Sequence, residues 1–264
     1  VSAAVTPTQH SYQLSKRKDL AASEVEQLSN QQECATLQLD PDGVQEDTMQ
    51  KYSFRQCTLT LLDRLFGLRK SFSSAMLDHW LQTNGELSDL ERKILQNYQE
   101  LLILNSDAWN EQELSMHFIG PILGLARFTE PYRFNLFAER KIGAVLSGQD
   151  DEIELSGEPD GLIATGYREP EIPMFAFTEY KRDLDPEGDP AGQTLAAMLV
   201  AQKLNATVHP IYGCYVVGRE WFFMVLQDKR YAISNGHNAL QTVELEEILR
   251  NLKALKSIIY DLTA

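Results

Sequence analysis

The segments Gly157-Glu158-Pro159-Asp160-Gly161 and Met174-Phe175-Ala176-Phe177-Thr178-Glu179-Tyr180-Lys181 decide how this chain is read. The second is apolar and aromatic over the length of a strand. Successive strand side chains alternate faces, so Phe175, Phe177, Glu179 and Lys181 are expected on one face and Met174, Ala176, Thr178 and Tyr180 on the other. Glu179 and Lys181 then become neighbours, on a strand too apolar for an ordinary surface position. Gly166, Pro170 and Pro173 mark a connection that lets residues 161–165 run alongside, which brings Asp160 next to Glu179.

Two carboxylates would thus converge beside one ammonium. Hard divalent cations take oxygen ligands, and Mg²⁺ uses one or two carboxylates, keeps water and accepts phosphate oxygens in its remaining positions. The pair Asp160 and Glu179 suits Mg²⁺ or Mn²⁺. Lys181 would orient a water or stabilise charge that develops on a phosphate. For Glu179 and Lys181 alone, a surface ion pair is the competing explanation.

Outward from this core, strands are expected at residues 135–145, 161–165, 174–181, 211–217, 221–226 and 231–234. A helix over 191–204 opens with Asp189 as N-cap and Pro190 at its first position. Another helix covers 107–126, and an amphipathic one closes the chain over 243–262. Helix, three strands, helix, strand is an α/β order, in which helices cover both faces of a sheet.

The N-terminal part differs. Residues 1–50 are rich in Ser, Gln and acids and show no apolar period, the composition of a flexible or extended arm. From Thr58, the residues Leu59, Leu62, Leu65, Phe66, Phe72, Met76, Leu77 and Trp80 recur at helical spacing up to Thr83-Asn84-Gly85. Ser88 and Glu91 form a capping box that starts a second helix, with Leu90, Ile94, Leu95, Tyr98, Leu101 and Leu102 as its stripe. Residues 51–105 therefore read as a helical hairpin, and 106–264 as the α/β domain. The hairpin's stripes would either make a homodimer surface or pack on the chain's own core.

Pro159-Asp160 and Glu179-Tyr180-Lys181 make the chain similar to the PD-(D/E)XK nuclease superfamily, and the element order from about Asp107 to Val217 resembles that family's core. The resemblance implies a restriction endonuclease-like mixed central sheet flanked by helices, here with an N-terminal helical extension. It also implies a Mg²⁺-dependent nuclease, Mn²⁺ substituting, with Asp160 and Glu179 on the metal and Lys181 in catalysis. The family's first helix often adds a Glu; Glu113, within Asn110-Glu111-Gln112-Glu113, occupies that place. Glu113 also fits a cap with Asn110, and Glu111 is the alternate carboxylate. Gln193 resembles a Gln that some members carry after the Lys strand, although Ala197 stands where one subset has Tyr. Val216 to Phe223 resembles a hairpin that follows the core in restriction enzymes.

Composition narrows the partners. The chain has 264 residues, with 24 Lys plus Arg against 38 Asp plus Glu, a net charge of −14. Bulk attraction to nucleic acid or anionic lipid is thereby disfavoured, and a phosphate-bearing partner, DNA above RNA, must be met locally. Arg127, Arg133, Arg140 and Lys141 are favoured for this over Lys51, Arg55, Arg64, Arg69 and Lys70. The 3 cysteines and 5 histidines show no disulfide framework or local zinc pattern. No run is long enough to span a membrane, and no leader pattern opens the sequence, so an intracellular protein, cytoplasmic or nuclear, is expected. The competing function is a noncatalytic protein-interaction module on the same scaffold, which the acidic charge favours.

Overall fold

The computed structural model describes residues 49–83, 85–183, 188–206 and 209–263. In chain order they form β1 (Gln50–Ser53), a 3-10 turn (Phe54–Gln56), α1 (Leu59–Phe66), β2 (Arg69–Lys70), α2 (Ala75–Gln82), α3 (Asp89–Asn105) and α4 (Glu111–Leu114). A π turn (Ser115–Ile119) joins α4 to α5 (Gly120–Ala126). There follow β3 (Asn135–Phe137), β4 (Ile142–Ser147), β5 (Glu152–Gly157), β6 (Gly161–Thr165), β7 (Glu171–Lys181) and α6 (Pro190–Asn205). The chain then runs through β8 (Ile211–Val217), β9 (Glu220–Gln227), β10 (Arg230–Ile233), β11 (His237–Asn238) and α7 (Thr242–Leu262). The expected arm over residues 1–50 lies outside the described residues except for its last two. Residues from Met49 onward form one compact unit, in which 51–105 is not set apart.

The fold is mixed α/β. An eight-stranded sheet has the order β2-β10-β9-β8-β7-β6-β3, with β11 added on β9. Its β7–β8 and β2–β10 pairs are parallel and its other pairs antiparallel. The parallel β7–β8 pair follows from the helical crossover, since α6 carries the chain back to the start of the sheet. A second sheet has three strands in the order β1-β5-β4, β1 parallel and β4 antiparallel to β5.

Helix α6 is buried from Ala191 to Ala201 without a polar face. A helix apolar all round must be covered all round, and α6 packs on β7 and β8 of the large sheet and on β4 and β5 of the small one. The opposite face of the large sheet is covered by α7, whose Leu245, Ile248, Leu249, Leu252, Leu255 and Ile259 are buried. Helices α2 and α3 pack in turn on α7, and the Trp80 indole N–H donates to Asn251 O at 2.8 Å.

Three sequence expectations need correction, and one alternative left open is decided. The helix expected from Thr58 to Trp80 is two helices: Gly67 takes a left-handed φ of 65°, β2 follows, and Phe72 is 97% exposed. The hairpin stripes (Leu62, Phe66, Leu77, Trp80, Leu95, Leu102) are buried in the chain's own cores, on α6 and α7, while Leu90 and Leu101 are exposed. The strand expected over 135–145 is β3 and β4 in different sheets, broken where Glu139 adopts φ 51°. Between them and β6 stands β5, which was not expected; its Ile153 and Leu155 alternate with Glu152, Glu154 and Ser156 inside an acidic run.

The face alternation of β7 holds only in its second half. Phe177 packs on the α6 side and Ala176 on the α7 side, but Phe175 joins Ala176 while Met174 joins Phe177. A register shift between Ile163 and Ala164 of β6 lies opposite this reversal, and a bulge of one residue exchanges the faces beyond it. The helix expected over 107–126 begins at Glu111. Among the described residues no helix is long and apolar enough to cross a membrane.

Candidate active site

Glu158-Pro159-Asp160 is where the chain leaves the small sheet at Gly157 and enters the large one at Gly161. Antiparallel register pairs Gly161 with Thr178, so the next pair along sets Asp160 beside Glu179. The Tyr180 backbone N–H donates to Asp160 Oδ2 at 2.8 Å, which fixes this carboxylate against β7. On the α6 face, Lys181 Nζ donates to Glu179 Oε1 at 2.9 Å, with Glu179 and Lys181 only 6% and 8% exposed. Lys181 Nζ also reaches Glu111 Oε1 at 3.4 Å.

Electrostatics follow from this crowding. Burial, and then the charge of Glu179, push the Asp160 carboxyl up to about 7 against the opposing Tyr180 N–H and Lys181. Glu179 is likewise raised by burial, with Lys181 opposing. For Lys181, burial pulls downward, but Glu179, Glu111 and Asp160 outweigh it and the ammonium is held above its ordinary value. Lys181 is a fixed cation at neutral pH and no proton acceptor, which leaves it orientation and charge stabilisation as roles.

Of the two carboxylates weighed on the first helix, Glu111 enters the site. Glu113 instead caps: Asn110 N–H donates to Glu113 Oε2 and Glu113 N–H to Asn110 Oδ1, each at 2.9 Å. The π turn and Tyr180 position Glu111, because the Ser115 hydroxyl donates to Tyr180 Oη at 2.8 Å from the side of β7 opposite Lys181. Tyr180 is thus a packing and tethering residue. Gln193, in the first turn of α6, is 4% exposed and lines the site.

These groups lie in an open cleft of about 560 Å³ whose walls include Glu111, Asp160, Glu179, Lys181 and Gln193. Ser53, Phe54, Arg55, Glu139, Lys141, Ser156, Gly157 and Glu158 complete it. A side recess of about 270 Å³ adjoins, between Arg55, Glu111, Lys181, Gly188 and Gln193. Other cavities, of about 450 Å³ beside Phe66 and Leu146 and about 360 Å³ beside Ser71 and Tyr231, are each lined by a single carboxylate, Asp228, with no second acid beside it. The cleft is therefore the site with chemistry in it.

The favoured basic group is mostly engaged elsewhere. Arg133 donates to Thr263 O at 3.2 Å and stacks on Tyr260, Arg140 pairs with Glu169 at 3.7 Å, and Arg127 ends α5 with φ 58°. Only Lys141 of that group reaches the cleft, and Arg55 of the other group joins it. Sequence reasoning missed Glu139 and Ser53, since a loop acid and a short strand end carry no motif.

Among the described residues no three His, Cys, Asp or Glu side chains group as ligands of one ion. Two adjacent carboxylates open to a cleft do fit Mg²⁺, which fills its other positions with water and phosphate oxygens. Burial and the charge of Glu179 raise the Asp160 carboxyl, and burial raises that of Glu179, so both acids are held against ionisation. Cys57 and Cys214 are buried free thiols, raised by burial and removed from this chemistry. No known family model and no curated protein matches the chain.

Proposed function

We propose that the chain is a Mg²⁺-dependent nuclease, with Mn²⁺ able to substitute, that hydrolyses phosphodiester bonds of nucleic acid and of DNA foremost. One observation carries this: Asp160, half-buried, and Glu179, buried, are held side by side with like charges in the wall of an open cleft beside Lys181. Burying two like charges together destabilises the empty fold, and a divalent ion offsets that cost. In support of a restriction endonuclease-like core, β3, β6 and β7 form an antiparallel run after the helix that bears Glu111, and β8 follows α6 in parallel with β7.

Bound Mg²⁺ supplies a polarised phosphodiester and a water of lowered pKa. Asp160 and Glu179 would hold the ion, and Lys181 stabilises the charge that gathers on the phosphoryl oxygens as water adds to phosphorus and gives up a proton to solvent, while the bond to the leaving oxygen breaks and that oxygen takes a proton from solvent. Glu111 keeps Lys181 aimed into the cleft, and Gln193, lining the cleft beside it, orients the substrate. Purified protein incubated with single- and double-stranded DNA tests this. Cutting is expected with Mg²⁺ or Mn²⁺, none in chelator, and none with folded Asp160→Asn or Lys181→Ala. Cutting that survives chelator or either substitution contradicts the assignment.

A further inference from the structure

We infer that Arg55 and Lys141 form a strand-binding wall that holds two backbone phosphates of the nucleic acid being cut; this rests on the nuclease reading. Both residues leave the same end of the small sheet. Ser53 and Gly143 are both register partners of Ser156, one on each side. Because β1 runs parallel and β4 antiparallel to β5, Arg55 and Lys141 project past that end on either side of Gly157-Glu158. Two interstrand spacings put Ser53 and Gly143, at the root of the two segments, about 9.5 Å apart. They face the large-sheet wall that carries Glu179 and Lys181 across the cleft.

The position of Arg55 is built in. Asp189 accepts Gly192 N–H at 3.0 Å through Oδ1 and Leu59 N–H at 2.9 Å through Oδ2, tying the segment after Arg55 to the start of α6. A Cβ on Gly192 would stand 2.5 Å from Cys57 O, and one on Gly157 would stand 2.5 Å from the Phe54 ring. These close approaches press residues 54–59 onto both sheet end and helix, with Arg55 over the cleft. On the other side, the left-handed Glu139 turns the loop so that Lys141 lines the cleft while Arg140 pairs with Glu169.

Among the described residues both cations also lack a carboxylate partner. Nearby Lys51 pairs with Glu154 at 2.9 Å, whereas neither Arg55 nor Lys141 has a carboxylate within 4.0 Å among the described residues. A guanidinium and an ammonium that face a cleft without partners suit phosphate oxygens, which position a strand without reading its sequence. With a net charge of −14 over the whole chain opposing the strand, attachment through two phosphates makes the salt dependence shallow, a slope near −1.4 for a single strand.

The test is fluorescence anisotropy of a labelled single-stranded DNA oligonucleotide with the full chain in Ca²⁺, between about 50 and 200 mM salt. Arg55→Ala and Lys141→Ala should each weaken binding about 5- to 20-fold and flatten the slope by about 0.7. Arg55→Lys should lose less, and Arg64→Ala, which removes an equal charge outside the cleft, should change binding less than twofold. If Arg55→Ala behaves like Arg64→Ala, or wild type shows no salt-dependent binding, the wall is wrong. Cleavage is scored separately in Mg²⁺: cutting with an unchanged KM in Arg55→Ala removes the wall alone, while Arg55-dependent binding without any cutting keeps the wall and removes the nuclease.

Discussion

Lys181 Nζ lies 3.4 Å from Glu111 Oε1, a contact that joins the last residue of β7 to the first residue of α4. Glu113, two residues on, faces its own N-cap instead. The two acids separate by function accordingly. Glu111→Gln is expected to lower kcat about 10- to 100-fold with an unchanged melting temperature. Glu113→Ala is expected to cost about 1 kcal/mol of stability and leave kcat within about threefold. Paired kinetics and thermal melts check this; equal loss of kcat in both would show that the helix is turned otherwise.

The fold is expected to gain stability when the site is neutralised. Asp160 titrates near 7 when folded and near 3.8 when unfolded, so the unfolded chain ionises first and stability falls as pH rises through that window. Asp160→Asn keeps an acceptor for the Tyr180 N–H and drops the repulsion with Glu179. At pH 7.5 in chelator its Tm should exceed that of wild type by several degrees, each kcal/mol being worth about 2–4 °C. Millimolar Mg²⁺ should raise Tm in wild type and leave the variant unmoved. Calorimetric melts in chelator and in Mg²⁺ decide it.

Gly192 is where the Arg55 segment and α6 touch. Its Cβ would meet Cys57 O at 2.5 Å and Thr58 Cα at 2.6 Å, both backbone atoms. Gly192→Val should cost about 1–3 kcal/mol through overpacking and raise KM more than it lowers kcat, because Arg55 is displaced while Asp160 and Glu179 stay on their strands. A kcat loss at constant KM would contradict this chain of contacts.

Acid should loosen the clamp between α3 and α7. Burial pushes Glu91 up, but the Lys253 ammonium at 2.9 Å and the Ser88 N–H and hydroxyl outweigh it and hold the carboxyl at about 2. Glu246 is lowered by Arg92, with Arg250 adding to it. Both folded values lie below the ordinary 4.5, so this stability is complete above about pH 4.5 and is lost as pH falls toward 2. The Glu91→Gln, Glu246→Gln double variant should melt lower than wild type at pH 6 and converge with it only near pH 2, as followed by circular dichroism.

Much of the centre was legible in the sequence, and the reasons are local. Alternation along Phe177-Thr178-Glu179-Tyr180-Lys181 placed Glu179 and Lys181 on one face, and that part of β7 runs without a bulge. Asp189 and Pro190 marked the start of α6 because capping is a short-range signal. Where tertiary contacts choose among local options, the sequence was silent. Asn110 with Glu113 satisfied a capping pattern, and only the docking of α4 on Tyr180 through Ser115 turned Glu111 toward Lys181. The small sheet escaped notice because β1 and β5, whose paired residues lie 103 positions apart, have to meet before either buries a face. Nor did any motif show that Arg55 and Lys141 leave the same sheet end.

Isothermal titration of the chelator-treated protein with Mn²⁺ tests the central claim most directly. A saturable heat is expected in wild type and in Glu113→Gln, abolished in Asp160→Asn and strongly weakened in Glu179→Gln. Absence of saturable binding in wild type, or a heat unchanged by Asp160→Asn, would show that the two carboxylates beside Lys181 hold no metal.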